Sequence, residues 1–231
     1  MGRSGGIVSL KSRGEADAFA GCFIPVGLRD NRHVIDRYRN LFNEQQWFES
    51  ALCWTVVQRL DEAITVDDLL RRLNGGRDPE ERAMAYPREE AAEEDFPVLF
   101  VRQGKGAWGF LDFSQGFATP DHILAELSKE SRVWMTTWHF NGGYTILYAA
   151  DGEVRAQMRD FIFDEHAVQE GDPRVLAEFR SMLDSLDSED YRGKRSAALA
   201  FIEAATGMGI ESEWLDVEEA PVIILDNWNE D

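Results

Sequence analysis

At 231 residues, with 44% hydrophobic residues and a net charge of −19, the chain is long and apolar enough to fill a sizeable core. It is too acidic to hold a nucleic acid through its phosphates. No run approaches the roughly 20 apolar residues of a membrane span, and MGRSGGIVSLKSRGEAD lacks a hydrophobic signal region, so the sequence predicts a cytoplasmic protein.

The charge is uneven: +2 over residues 1–60, −7 over 61–96, zero over 97–159 and −14 over 160–231. Acidic surfaces of this kind keep proteins soluble, and they also suit a basic partner. Residues 1–30 mix glycine-rich turns with the short apolar pieces IVSL and FAGCFIPVG, compatible with a strand or an ordered arm. Residues 1–43 together are expected to form an N-terminal extension to a single α+β domain over 44–231. The first firm element is NEQQWFESALCWTVVQRL, where Trp47, Phe48, Ala51, Leu52, Val56 and Leu60 recur at helical spacing. Cys53, Trp54 and Val57 make the other side apolar too, which predicts a helix buried on more than one side. A short second helix follows, opened by Thr65 with an acidic Asp68 and stopped by Asn74-Gly75-Gly76.

Residues 77–96 combine two prolines with many carboxylates and few apolar side chains, as in a solvated insertion or an acidic docking peptide. PVLFVRQ and AWGFLDF, joined by Gly-Lys-Gly, read as a hairpin. Thr119-Pro120-Asp121 then opens a helix with Ile123, Leu124 and Leu127 on one face. The segment RVWMTTWHFNGGYTILYAADGEVRAQMRDF, 132–161, reads as three strands. A two-residue turn at Asp151-Gly152 places Tyr148 opposite Arg155, Ile146 opposite Gln157 and Tyr144 opposite Arg159. An Asn-Gly or Gly-Gly turn after Phe140 then puts Trp134, Trp138 and Phe140 inside with Leu147 and Met158. That parity leaves His139, Tyr144, Tyr148, Arg155, Gln157 and Arg159 on one outward face, a mixture of residue types suited to binding. Beyond it, Asp172-Pro173 begins a helix with the stripe Val175, Leu176, Phe179, Met182, Leu183 and Leu186. A further helix ends at Gly207, and PVIIL, 221–225, is expected to be an edge strand before the acidic end DNWNED.

The three patches ESALCWTVVQRL with DDLLRRL, SRVWMTTWHFNGGYTILYAADGEV and ALAFIEAATGMGIE resemble an uncharacterised family of actinobacterial proteins, a domain of unknown function. The resemblance covers most of residues 44–215. It assigns no catalytic residue, and this chain departs from the pattern in its first forty or so residues and in the acidic stretch after Gly76.

Chemistry finds little support. Cys22 and Cys53 lack the number and spacing of a disulfide or zinc framework. The four histidines are scattered, and His122 with Glu126 supplies only two of the ligands a metal needs. Glycine-rich phosphate loops and serine nucleophile motifs are absent from the sequence. If there is chemistry, His139 beside Arg155 and Asp160 is the first place for it. The expectation is therefore an antiparallel sheet of about five strands (β-β-α-β-β-β), preceded by two helices and followed by others. No metal or cofactor is expected. The predicted function is a non-catalytic protein-binding or regulatory component, immunity-like in a bacterial conflict or defence system, with acidic surfaces against a basic partner. The alternative is an enzyme or sensor taking a small anionic ligand on the His/Tyr/Arg face.

Overall fold

A computed structural model describes residues 31–60, 64–112, 120–215 and 218–226. The expectations for residues 1–30, for Thr119 and for the end of the chain lie outside these. Among the described residues the architecture is α+β, with six α-helices and one antiparallel sheet of nine strands rather than about five. In chain order the elements are α1 (Arg32–Glu44), β1 (Ala51–Arg59), α2 (Val66–Leu73), β2 (Glu80–Met84), α3 (Pro87–Ala91), β3 (Val98–Gln103) and β4 (Ala107–Asp112). Next come α4 (Asp121–Leu127), β5 (Ser131–His139), β6 (Gly142–Ala150), β7 (Glu153–Arg159), β8 (Val168–Gly171), α5 (Ala177–Asp184), α6 (Tyr191–Thr206) and β9 (Ala220–Ile224). The sheet runs β2-β9-β3-β4-β1-β5-β6-β7-β8.

Its middle strand corrects the sequence reading. Residues 51–59 are β1, not helix, and only Gln46–Glu49 before them make a single 3-10 turn. A strand buried on both faces is apolar at every position, so its sequence satisfies any period. The aromatic and β-branched run Trp54-Thr55-Val56-Val57 then favours the extended form. Leu52, Trp54 and Val56 point to one core, and Cys53 and Val57 to the other. Gly109 on β4 has no side chain because the Trp54 ring lies where its Cβ would be.

Helices cover both faces. On one side α1, α5 and α6 pack through Tyr38, Phe42, Phe179, Leu199 and Phe201. On the other, α2 and α4 contribute Leu69, Leu70, Leu73, Ile123, Leu124 and Leu127. All but the last residue of helix α1 falls in the stretch expected to be an extension, yet Ile35, Tyr38, Leu41 and Phe42 belong to the core. The Tyr38 hydroxyl donates to Glu203 of α6 at 2.6 Å and accepts from the Ile210 amide at 3.1 Å. Burial, with the Glu203 carboxylate beside it, pushes this phenol well above its ordinary pKa.

Several local predictions match the structure. Thr65 and Asp68 form a reciprocal capping box at the start of α2. β3 and β4 pair as the predicted hairpin and α6 ends at a left-handed Gly207; of the predicted stripe Val175, Leu176, Phe179, Met182 and Leu183 are buried and Leu186 partly so, but the helix starts at Ala177 rather than at Asp172-Pro173. The acidic segment 77–96 is not wholly connector: it supplies β2 and α3. PVIIL is a strand but an inner one, between β2 and β3. Its Pro221 is accommodated because β3 reaches only Ile223 and Ile224.

Candidate functional site

The six residues expected to share a face are divided by the structure, and two β-bulges are the cause. The β5–β6 turn is Phe140-Asn141, since His139 pairs with Gly142, and an irregularity between Thr137 and His139 then brings Trp134 opposite Tyr148. Between β6 and β7, Ala150 pairs with Glu153 as expected, but Ala149 pairs with Val154 and Tyr148 with Ala156. Arg155 is the extra residue. Beyond a bulge every partner moves by one, and with period two that reverses the sheet face.

Tyr144 and Tyr148 therefore join Trp134, Trp138 and Met158 on the side of α1, α5 and α6. The Trp134 and Tyr148 rings lie 4.4 Å apart. Both tryptophans are interior as predicted, and the Trp138 indole donates to the Phe48 carbonyl at 2.7 Å. Phe140, expected inside, is 65% exposed. Gln157 and Arg159 lie with Leu147 and Thr145 on the opposite side and both bond Glu170 of β8, Arg159 at 2.6 Å. Arg155 folds back on its own turn, donating to the Ala150 carbonyl at 3.2 Å and pairing with Glu153 at 2.9 Å.

His139 does not meet Arg155. It stands beside Gly142 at one end of β6, whereas Arg155 lies next to the turn at the other, roughly 20 Å away at the rise of a strand. His139 Nδ1 accepts from the Asn141 amide at 3.3 Å, and its ring is 4.1 Å from Phe140. Asp160 shares the His139 end, where it takes a left-handed φ of 52° that closes β7. Among the described residues no group of three or more His, Cys, Asp or Glu side chains is placed to hold a metal. No helix there is long and apolar enough to cross a membrane.

What the structure does assemble is at this end of the sheet. Left-handed Asp160 turns the chain so that Phe161 enters the core while Phe163 emerges, with the Phe163 amide donating to the Asp160 carbonyl at 2.9 Å. Buried Tyr144 stands edge-on to Phe161 at 6.4 Å and to Phe163 at 5.7 Å. Phe163 lies 5.9 Å from Tyr191, the first residue of α6. Phe163 and Tyr191 are respectively 39% and 44% exposed although each touches another ring. Around them Asp164, Glu165, Asp187 and Glu189 are exposed.

One buried cation fixes this arrangement. Lys194 is 1% exposed, and its ammonium donates to the Ile162 carbonyl at 2.9 Å, the Ser188 carbonyl at 2.8 Å and Asp164 Oδ1 at 2.6 Å. All three donors are used, as a buried ammonium requires. Lys194 thus ties the 160–166 turn to the loop between α5 and α6, and so ties Phe163 to Tyr191. Asp190 caps α6 by accepting from the Gly193 amide at 2.8 Å, and it pairs with Arg39 of α1. Nearby, Arg195 donates to the Glu49 carbonyl at 3.0 Å, and Arg192 is paired with Glu49. Burial lowers the Arg195 pKa, with Glu49 and Tyr144 acting against the fall.

Sequence reasoning found Tyr144 and missed Phe163, Tyr191 and Lys194. A signal was present in Lys194, the single lysine of the −14 segment, which precedes the small apolar run from Ala197 by three residues. No protein-family model, curated protein or solved structure matches this chain.

Proposed function

We propose that the chain is a non-catalytic, immunity-like protein-binding component that presents acidic surfaces to a basic partner. The observation behind this is the Tyr144–Phe163–Tyr191 cluster, part exposed, with Asp164, Glu165, Asp187 and Glu189 exposed in the chain segments that flank its rings. An acidic surface kept only for solubility has no need of touching rings half in water. Aromatic rings in an acidic stretch of chain suit a guanidinium or ammonium, which gains from the ring face and from the charge at once. Rigid rings that lose little entropy on contact are also the residue types that dominate binding energy.

The test is capture from cells by the tagged chain, in parallel with a Phe163→Ala/Tyr191→Ala variant of unchanged thermal stability. A stoichiometric basic protein held by the native chain and lost with the variant is the expected result. Capture of no such protein at low and moderate salt, or equal capture by both, overturns the reading.

The alternative, a small anionic ligand, keeps one foothold. Tyr148 is half-buried, and Arg132, the partner of Ala150, lies diagonally across from it on β5. Burial raises the Tyr148 pKa, while Arg132 and Arg155 act to lower it. A nucleotide or carboxylate that raises the thermal midpoint of the native chain but not of Arg132→Ala supports this reading; no shift across such a series removes it.

A further inference from the structure

We propose that β2 is a docking edge to which an extended, lysine- or arginine-bearing segment of a partner protein adds as a tenth strand. The inference rests on the reading that the partner is basic, but it uses a different surface and different observations. β2 ends the sheet, and among the described residues only β9 pairs with it. Glu80, Glu81, Arg82 and Ala83 are all exposed, so neither face of the strand is covered before Met84 enters the core.

The direction of its backbone groups follows from β9. The Leu225 amide donates to the Pro97 carbonyl at 2.9 Å, in register with the pairs Ile224–Val98 and Ile223–Leu99. Backbone groups alternate sides along an antiparallel strand. Odd-numbered residues of β9 therefore aim their N–H and C=O groups at β3, and Ala220, Val222 and Ile224 aim theirs at β2. Their partners are Met84, Arg82 and Glu80, which leaves Glu81 and Ala83 with N–H and C=O groups turned outward. Those groups are a template for one more strand.

Charge selects what can use it. Arg82 is held by Glu80 at 2.9 Å and by Glu94, so the basic residue of the edge is neutralised from within the chain. The Arg82–Glu94 pair holds the segment of the exposed carboxylates Glu93 and Asp95 to β2, and Glu81 adds an exposed carboxylate of the strand itself. A second copy of the same edge is repelled by these charges, whereas a strand with cationic side chains is attracted. Tyr86, 60% exposed just past the end of the strand, offers an apolar anchor for the incoming chain.

The experiment is fluorescence anisotropy with the full chain and a labelled decapeptide of alternating lysine and threonine. An alternating glutamate–threonine peptide and a lysine–threonine peptide N-methylated at every amide, which leaves neither of its edges able to donate, serve as controls. Ala83→Pro removes an outward N–H that β9 does not use, and proline is accepted on edge strands. The proposal expects binding of the basic peptide and at least a tenfold loss with Ala83→Pro and with N-methylation. It also expects no binding of the acidic peptide, and affinity unchanged by Phe163→Ala/Tyr191→Ala. The N-methylated peptide reports on the native chain, so the test stands even if Ala83→Pro fails to fold. Equal affinity for the N-methylated and unmodified peptides overturns strand addition, leaving a basic partner at the aromatic cluster untouched. Absence of any binding by the basic peptide also overturns it, and the capture experiment then judges the broader reading separately.

Discussion

The aromatic cluster beside α6 and the β2 edge are both exposed, but they are exposed for opposite reasons. At the cluster, rings reach solvent because the chain beneath them is tightly tied: Lys194 is sealed, Phe161 is in the core, and Asp190 caps the helix that carries Tyr191. At the edge, among the described residues only β9 pairs with the strand, and Met84 alone among Glu80–Met84 is buried. Under the proposed function, recognition and stability share residues at the first surface and are separate at the second. A surface of the first kind has a fixed shape. One of the second kind supplies direction and charge, and leaves the partner to supply the order.

The contrast is broken most directly at Lys194. Lys194→Met strands the Ile162 and Ser188 carbonyls around a side chain that cannot donate, and leaving such acceptors without a donor costs about 2 kcal/mol. Guanidinium denaturation of the variant measures it; a loss below about 1 kcal/mol would mean that the clamp does not organise this end. Tyr191→Ala is a smaller step, since its ring is 44% exposed, and less than about 1 kcal/mol is expected beside a marked loss of partner capture. The smallest effect belongs to the edge. Arg82→Ala removes only solvent-exposed ion pairs, which contribute little to folding, so the denaturation midpoint is expected to stay where it is while affinity for a cationic strand rises. A clear drop in midpoint would show that the edge is as structurally committed as the cluster.

How much of this was legible depends on whether the signal was local. The capping box of Thr65 and Asp68, the β3–β4 hairpin and the α5 stripe each follow from residues a few positions apart, and each is present. β1 was misread because its burial on both faces is a property of the sheet, not of the segment. The three strands of 132–161 were legible, and the burial of Trp134 and Trp138 with them. Their parity was not, because the register shifts near Trp138 and at Arg155 leave no mark in the sequence. For the same reason the face with Tyr144 and Arg159 together dissolved. β8, just Val-Gln-Glu-Gly, and β2, with charges at Glu80, Glu81 and Arg82, have no apolar alternation to announce them. The aromatic cluster depends on contacts between Phe163 and Tyr191 that only the folded chain brings together.

The middle position of β1 has a bearing on how the chain is made. Cys53 must find Asp112 on one flank and Thr137 on the other, so a very apolar stretch leaves the ribosome well ahead of both its companions. Non-local pairing of this kind slows folding and prolongs the exposure of sticky segments. Once the sheet has closed, the amide protons of Trp54 to Val57 lie between two strands and beneath two layers of helices, and only unfolding of the whole domain should release them to solvent.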